Sequence, residues 1–308
     1  MKIRQLCPEL AEKARLELNE DPQRIEEDIR HIREWVAKQP HLRARTDDQW
    51  ILGFLRGCKF SLERTKEKFD LYYTLRTTAP ELWKFKHGDS KIMEILSLGV
   101  ILVLPKSISK TSPRVALVRI GAYDPNKYHI SDIMSASNIV QEITQYEDDE
   151  LMVSGAVTIL DLDKVTSGHF MQMTPAMMKK MIVMGQDATP VRMKGNHYLN
   201  TPSTFETVFN FMKSLINEKN RSRLYVHNKN FEEMYKHIPK SVLPEEYGGE
   251  GGTIQQVIDH WKNKIKEYGP WIKEGDDCGT DESKRPGKPK TAEELFGVEG
   301  SFRQLNFD

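Results

Sequence analysis

The chain has no net charge. Its 308 residues hold 45 Lys and Arg against 45 Asp and Glu. A general nucleic-acid binder carries a basic excess, so that class is set aside, and any charged partner must meet a local patch. Cysteine is scarce. Cys7, Cys58 and Cys278 lie far apart, form no CxxC and offer no disulfide framework, which suits a reducing compartment. Long apolar runs are absent too. The longest, Val100 to Leu104, falls well short of the roughly 20 residues that span a bilayer. The first residues lack the apolar core of a signal peptide, and no Met-Gly start or C-terminal prenylation box is present. The expectation is a cytoplasmic protein whose membrane contact, if any, is peripheral and transient.

Catalytic signatures are missing as well. No GxSxG, HExxH, kinase set or Cys/His nucleophile pattern occurs. YGGEGG (247–252) matches neither GxGxxG nor GxxxxGK[ST] and reads as a tight turn. Asp161 and Asp163, with His169 and His197, have no metal-ligand spacing. Asp161 is read as capping a turn and the histidines as packing residues. No catalytic or metal-ligating residue is therefore expected, and no enzymatic activity.

What is present divides by period. Asp21-Pro22 reads as a helix start, followed by Ile25, Ile29, Ile32 and Val36 at helical spacing. Thr46 with Gln49 suggests a capping box before the apolar segment 50–55. Ser61 caps a further helix bearing Phe69, Tyr72, Tyr73 and Leu75. Beyond about residue 90, segments 99–105 and 114–120 read as a β-hairpin. Strands and helices then alternate: helix 131–146, strand 153–161, helix 175–187, strand 192–199, helix 203–217, strand 222–226, and a last helix at 253–268. The fold class is α/β, an N-terminal helical bundle followed by a mixed, mostly parallel sheet flanked by helices. The expected domains are 1–85, 86–270, and a tail at 271–308 that is mobile or straps the surface.

Segment 189–223 is the most informative. Phe205, Phe209, Met212 and Ile216 form one apolar stripe of a helix, and Val208, Phe211 and Leu215 form a second. A surface helix ordinarily buries one stripe, so two imply a second apolar partner: protein, lipid or membrane. Arg192, Lys194, Lys219, Arg221 and Arg223 bracket it. Grease beside cations is the composition of a surface that meets anionic bilayers, and convergent Arg and Lys suit a phosphorylated head group. Seven of the thirteen methionines lie between Met171 and Met193. Beside the two-sided helix they read as lining a deformable lipid cavity. Strand and helix phase gives a pocket of Ile133, Ser137, Thr158, Leu160, Phe170, Met173, Met177, Met181, Met184, Asn196 and Tyr198, closed by Phe205, Val208, Phe209 and Met212.

Four ordered segments resemble the CRAL-TRIO family of lipid-transfer proteins: FLRGCKFSLERT (54–65), ILDLDKVTSGHF (159–170), 191–227 and LPEEYGG (243–249). The resemblance runs over about residues 20–270 and is nearest to members that carry tocopherol and retinaldehyde. It implies an N-terminal helical lobe, a sheet domain holding one hydrophobic ligand, a mobile gate helix and no catalysis. The family's phosphoinositide-contacting positions carry over to Arg192, Lys194, Lys219 and Arg223. Cys58 stands where relatives have arginine, with Lys59 as its substitute. Lys164 replaces the glycine of the family's DLxG turn, so a different turn is expected there. Asn196 replaces an apolar pocket residue, which implies a polar group on the ligand.

The resulting expectation is a monomeric carrier of a tocopherol-, retinoid- or carotenoid-type ligand, opening at phosphoinositide-containing membranes. It has no cofactor other than the bound ligand and no nucleic-acid partner. The alternatives are a phosphatidylinositol or phospholipid exchange protein and a module that presents lipid to a regulatory partner.

Overall fold

The computed structural model describes residues 3–203 and 205–297. Position 204 at the start of the expected gate and the last part of the tail, 298–308, lie outside the described residues. The N-terminal lobe holds α1 (Pro8–Leu18), α2 (Ile25–Ala37), the short β1 (Leu42–Arg43), α3 (Asp48–Gly57) and α4 (Leu62–Thr78). The apolar period of α2 does what it predicts: Ile25, Ile29, Ile32 and Val36 are buried. Two starts differ from expectation. Asp21 makes a turn that binds the Gln23 and Arg24 amides, and α2 begins only at Ile25. Asp47 rather than Thr46 caps α3, accepting from the Trp50 amide at 3.0 Å. A carboxylate one residue on reaches the amide of the third helical residue and satisfies that orphan donor of the first turn. Trp50, Phe54, Phe69 and Tyr72 meet edge to face at centroid distances of 4.8–5.9 Å and form the centre of this lobe.

The second part runs α5 (Ser90–Ser97), β2 (Ile101–Val103), β3 (Arg114–Arg119), α6 (Ile130–Glu147), α7 (Asp149–Ser154), β4 (Ala156–Asp161), α8 (Ser167–Gln172), α9 (Pro175–Ile182), β5 (Met193–Leu199), α10 (Phe205–Leu215), α11 (Glu218–Arg221), β6 (Leu224–Asn228), α12 (Phe231–Tyr235) and α13 (Ile254–Glu267). The sheet order is β2-β3-β4-β5-β6. Only β2 is antiparallel to its neighbour. The strand predicted from residue 153 starts later, because α7 takes residues 149–154. Likewise Arg221 belongs to α11, and β6 begins at Leu224.

The two faces of the sheet differ. On one, Leu102, Val115, Leu117, Ile159 and Leu199 join Met234, Val257 and Trp261 in a buried core. On the other, Ala116, Val118, Thr158 and Asn196 face a hollow. Strand alternation sends successive side chains to opposite faces, so one sequence pattern builds both.

Two charged networks tie the parts together. Arg56, 1% exposed, donates to both Glu20 oxygens at 2.9 and 3.0 Å and to Asp149 at 2.7 Å, joining α3 to α7. The tail follows as α14 (Gly269–Gly275), β7 (Gly279–Thr280) and α15 (Ala292–Phe296). As far as it is described it is a strap: β7 pairs antiparallel with β1, and Phe296 is buried. Asp70 of α4 holds it, accepting from Arg285 at 2.9 Å, Lys290 at 2.6 Å and His41 at 2.7 Å.

Burial works against an ionised Asp70, but Lys290, His41 and Arg285 outweigh it and hold the carboxyl below its ordinary value. Glu282, opposed by burial and held by Arg285 and the Lys290 amide, is lowered to about 2. Both groups are depressed in the folded state. Their stabilisation is therefore present above the ordinary carboxylate range and lost as pH falls through it toward about 2. Acidification should free the strap before the sheet unfolds, seen as faster amide exchange at 276–296 than in β3 to β5. Asp70→Asn should cost about 3–5 kcal/mol in denaturant unfolding at neutral pH, since it strands buried cations.

Candidate functional site

The hollow has a volume of about 370 Å³. Its floor is the sheet: Ile101 and Val103 of β2, Ala116 and Val118 of β3, Thr158 of β4, and Met193, Asn196 and Tyr198 of β5. One wall is a face of α6, with Met134, Ser137, Asn138, Gln141 and Thr144 at helical spacing. Met212 of α10 and Ile216 close it from the other side. The lining is mostly apolar, with a few hydroxyls and amides. Ser137 and Thr144 bond their own helix's carbonyls, and the Asn138 amide is held by the Leu82 carbonyl. Burial pushes the Tyr198 phenol up and keeps it neutral.

Of the pocket residues expected from sequence, Ser137, Thr158, Asn196, Tyr198 and Met212 line this cavity. Phe205 and Phe209 stack on each other at 4.7 Å and pack against Tyr198, next to the cavity rather than in its wall. Val208 is half-buried on α10, and Leu160 and Phe170 are half-buried outside the wall. The methionine expectation needs correction. Met177 and Met184, with Ile133, are buried in the core shared with the N-terminal lobe, and Met173 and Met181 pack against it. The residues of this segment that line the cavity are each one step further on, Ile182 at the end of α9 and Gly185 in the turn after it. Of that methionine group Met193 lines the cavity, and Met134 of α6 and Met212 of α10 add the rest of the sulfur in its wall.

No residue of α10 is fully buried. Its second stripe, Val208, Phe211 and Leu215, is half-exposed and does not reach the cavity. A helix with one apolar face over a hollow and another partly in water matches the two-sided pattern of its sequence.

A second concavity of about 360 Å³ lies beside the first, between α4, the end of α3 and the start of β5. Lys59, Arg64, Lys68, Arg192, Lys219 and Arg223 line it, with Cys58. It shares Gly185, Gln186, Thr189, Val191, Met193 and Asn220 with the apolar cavity, so one wall serves both. Arg192 is half-buried with carbonyl oxygens of Met152 and Val153 as its acceptors, and its Nε is buried without a partner. Burial lowers the pKa of Arg192 and of Lys219, and the neighbouring Arg223 lowers both further. Cations that disfavour one another's charge make a local positive field, although Glu17 partly offsets it at Arg192.

Lys194 and Arg221 stand apart from this cleft. The β4–β5 register shifts where Ala156 pairs with Met193 and Val157 with Gly195, which leaves Lys194 as the extra residue. It reaches Glu17 at 3.7 Å. Arg221 donates to the Ile216 carbonyl at 3.1 Å, just past α10. Conversely, Arg64 and Lys68, not among the expected cations, are in the cleft. Their i, i+4 spacing was the only signal.

The remaining candidates are structural. Asp161 accepts from the Asp163 amide at 2.9 Å and from Asn200 at 2.8 Å, and it also binds the Tyr247 hydroxyl. Lys164 holds a left-handed φ of 61°, so the turn keeps the backbone that glycine favours despite its side chain. Thr166 caps α8, with His169 accepting from the Thr166 amide at 3.1 Å and contacting the Tyr123 carbonyl at 3.0 Å. His197 pairs with His227 at 2.8 Å on the sealed face of the sheet. Burial, with His227 and His237 nearby, pushes it down to about 4. Among the described residues no group of three His, Cys, Asp or Glu is placed to hold a metal ion, and no helix is long and apolar enough to cross a membrane.

A mostly parallel sheet with one sealed face and one hollow face defines a class of proteins that enclose a small apolar molecule. The CRAL/TRIO domain model matches residues 100–249, and a Pinta-like UBA domain model matches 21–91. Human Clavesin-2 is 31% identical over 271 residues, covering 85% of this chain and 82% of its own. Human alpha-tocopherol transfer protein-like is 31% identical over 253 residues, covering 81% and 72%. The crystal structure of Sfh5 superposes with a TM-score of 0.50 at 13% identity over 87% of this chain and all of its own, a likeness of fold. The chain belongs to the CRAL/TRIO family of lipid-binding proteins.

Thr158→Phe places a ring in the middle of the cavity floor. It should weaken binding of an anthroyloxy-labelled fatty acid tenfold or more, read by fluorescence titration. Stability should stay within about 1–3 kcal/mol of wild type. Unchanged probe binding would put the apolar ligand elsewhere.

Proposed function

We propose that this protein carries one small hydrophobic molecule with a polar group, and loads and releases it at anionic, phosphoinositide-containing membranes. The observation that carries this reading is the shared wall: an apolar cavity and a cation-lined cleft separated by one turn of chain. No catalytic step is assigned to it, and its place is the cytoplasm, with brief peripheral visits to membranes.

Energetics favour opening at a bilayer. Each large apolar side chain moved from cover into water costs roughly 1.5–3 kcal/mol. Swinging α10 away would expose Met212 and Ile216 with the Phe205–Phe209 pair, a cost of several kcal/mol in solution. In acyl chains most of that cost vanishes. Each Lys or Arg near an anionic surface adds about 1 kcal/mol of attraction, so the cations of the cleft offset much of the remainder.

The ligand belongs to the tocopherol, retinoid or carotenoid type. A cavity of about 370 Å³ is near the lower end of the roughly 300–1,000 Å³ typical of small-molecule sites, which suits one ring or one chain better than two acyl chains. The relative named for tocopherol transfer points the same way. Ser137, Asn138, Gln141, Thr158 and Asn196 in the lining favour a second reading, exchange of a phospholipid whose head group they would hydrogen-bond. Mass spectrometry of the lipid extracted from native protein separates the two.

Arg192→Ala and Lys219→Ala should each reduce binding to phosphatidylcholine vesicles containing 5% phosphatidylinositol bisphosphate by about 5- to 30-fold, the loss of one charge-assisted contact, while binding to neutral vesicles is unchanged. An intact preference in both variants would reduce the cleft to solvated surface. Phe211→Asp should slow transfer of a fluorescent tocopherol between vesicles tenfold or more, because aspartate costs roughly 2.5–3.5 kcal/mol at the membrane centre. A normal transfer rate would remove α10 from the account.

A further inference from the structure

The turn that separates cavity from cleft is unusual in its winding. After α9, residues Val183–Ala188 form a π-helical turn, closed by a bond from the Thr189 amide to the Met184 carbonyl at 2.9 Å. Such wide turns leave carbonyls poorly matched within the helix, and they recur at functional sites. Here an outside group meets those carbonyls. Lys68 of α4 donates to the carbonyls of Gln186 at 3.1 Å, Asp187 at 2.7 Å and Thr189 at 3.1 Å. These use all three ammonium donors. Lys68 is also part of the cationic cleft.

The side chain of Gln186 points the other way along the same turn. Its Oε1 accepts from the Asn217 amide at 3.0 Å and from Asn220 Nδ2 at 3.3 Å. Asn217 caps α11 directly after the end of α10, so this bond pins the C-terminal hinge of the covering helix.

We propose that Gln186 is the latch between the two sites: an anionic phosphate in the cleft draws the Lys68 ammonium from the turn, the turn relaxes, and Gln186 releases the Asn217–Asn220 hinge so that α10 can open. This rests on the reading of the cleft as a phosphate site and names how its occupancy reaches the cavity. The coupling needs no movement of the sheet, because Lys68, the turn and the hinge are in direct contact. It also gives the free anion a role separate from membrane attraction, since a soluble head group should loosen α10 without any bilayer.

The test is hydrogen–deuterium exchange of residues 205–220 in the full chain, with inositol 1,4,5-trisphosphate as the soluble probe and inorganic phosphate in a parallel arm. Head-group affinity is measured separately by calorimetry. In wild type the probe should speed exchange at 205–217. Gln186→Ala should exchange there tenfold or more faster without any anion and gain nothing further from the probe. Gln186→Glu keeps an oxygen acceptor for both hinge donors, so its exchange without anion should stay slow. Acceleration by inorganic phosphate as well as by the inositol phosphate supports the coupling and assigns the trigger to phosphate in general. Gln186→Ala at the wild-type rate overturns the latch, as does Gln186→Glu as fast as Gln186→Ala, since a merely structural role would not be rescued by the acceptor. If calorimetry shows the head group bound while exchange in wild type does not respond, the latch fails and the cleft reading stands. If no head group binds, the cleft reading itself fails.

Discussion

A parallel sheet must be covered on both faces, because its strands present side chains alternately to each. In this protein one face is sealed by Met234, Val257 and Trp261 and their neighbours. The other is only partly covered by α6 and the end of α9. The gap is wide enough to leave a hollow and narrow enough for one helix to close. Everything functional follows from that incomplete cover: the cavity, the need for a helix apolar on two sides, and the position of the hinge that holds it.

The electrostatics are arranged around the same gap. The chain's charges cancel in total, yet the structure sorts them. Acidic side chains take buried or half-buried structural posts: Asp149 and Glu20 on Arg56, Asp70 under the C-terminal strap, Asp161 at the closing turn. The cleft next to the cavity is left to Lys59, Arg64, Lys68, Arg192, Lys219 and Arg223. A neutral protein thereby keeps a local positive field without the self-repulsion of a strongly basic chain. The strap also fastens the far side of α4, the helix that contributes Arg64 and Lys68. Rigidity there would serve the proposed phosphate site, since charges recognise a phosphate only if their spacing is held.

Much of the architecture was legible in the residues. The β-like runs at 99–105 and 114–120, the period of α2, and the two stripes of α10 each fix a local conformation through side-chain burial, and the structure follows them, with strands at 101–103 and 114–119. Element starts were less legible. Whether Thr46 or Asp47 caps α3, and whether residues 149–154 join a strand or form α7, depends on which backbone amide a side chain reaches once its neighbours are packed.

The candidate site was legible only where one element's phase decided it. Ser137, Thr158, Asn196 and Tyr198 face the hollow because helix and strand periods put them there. Met177 and Met184 look identical in sequence to cavity liners, but α9 turns that face to the N-terminal lobe. Lys194 leaves the cleft through a one-residue register shift, and Arg64 and Lys68 enter it because α4 packs on the turn that precedes β5. Sequence alone determined the elements, the two-sided helix and the family, since these rest on local periodicity and ordered motifs. Which cations converge, which methionines stay in the core, and that Gln186 lies between cleft and hinge were decided by tertiary structure alone, because each depends on the relative placement of segments dozens of residues apart.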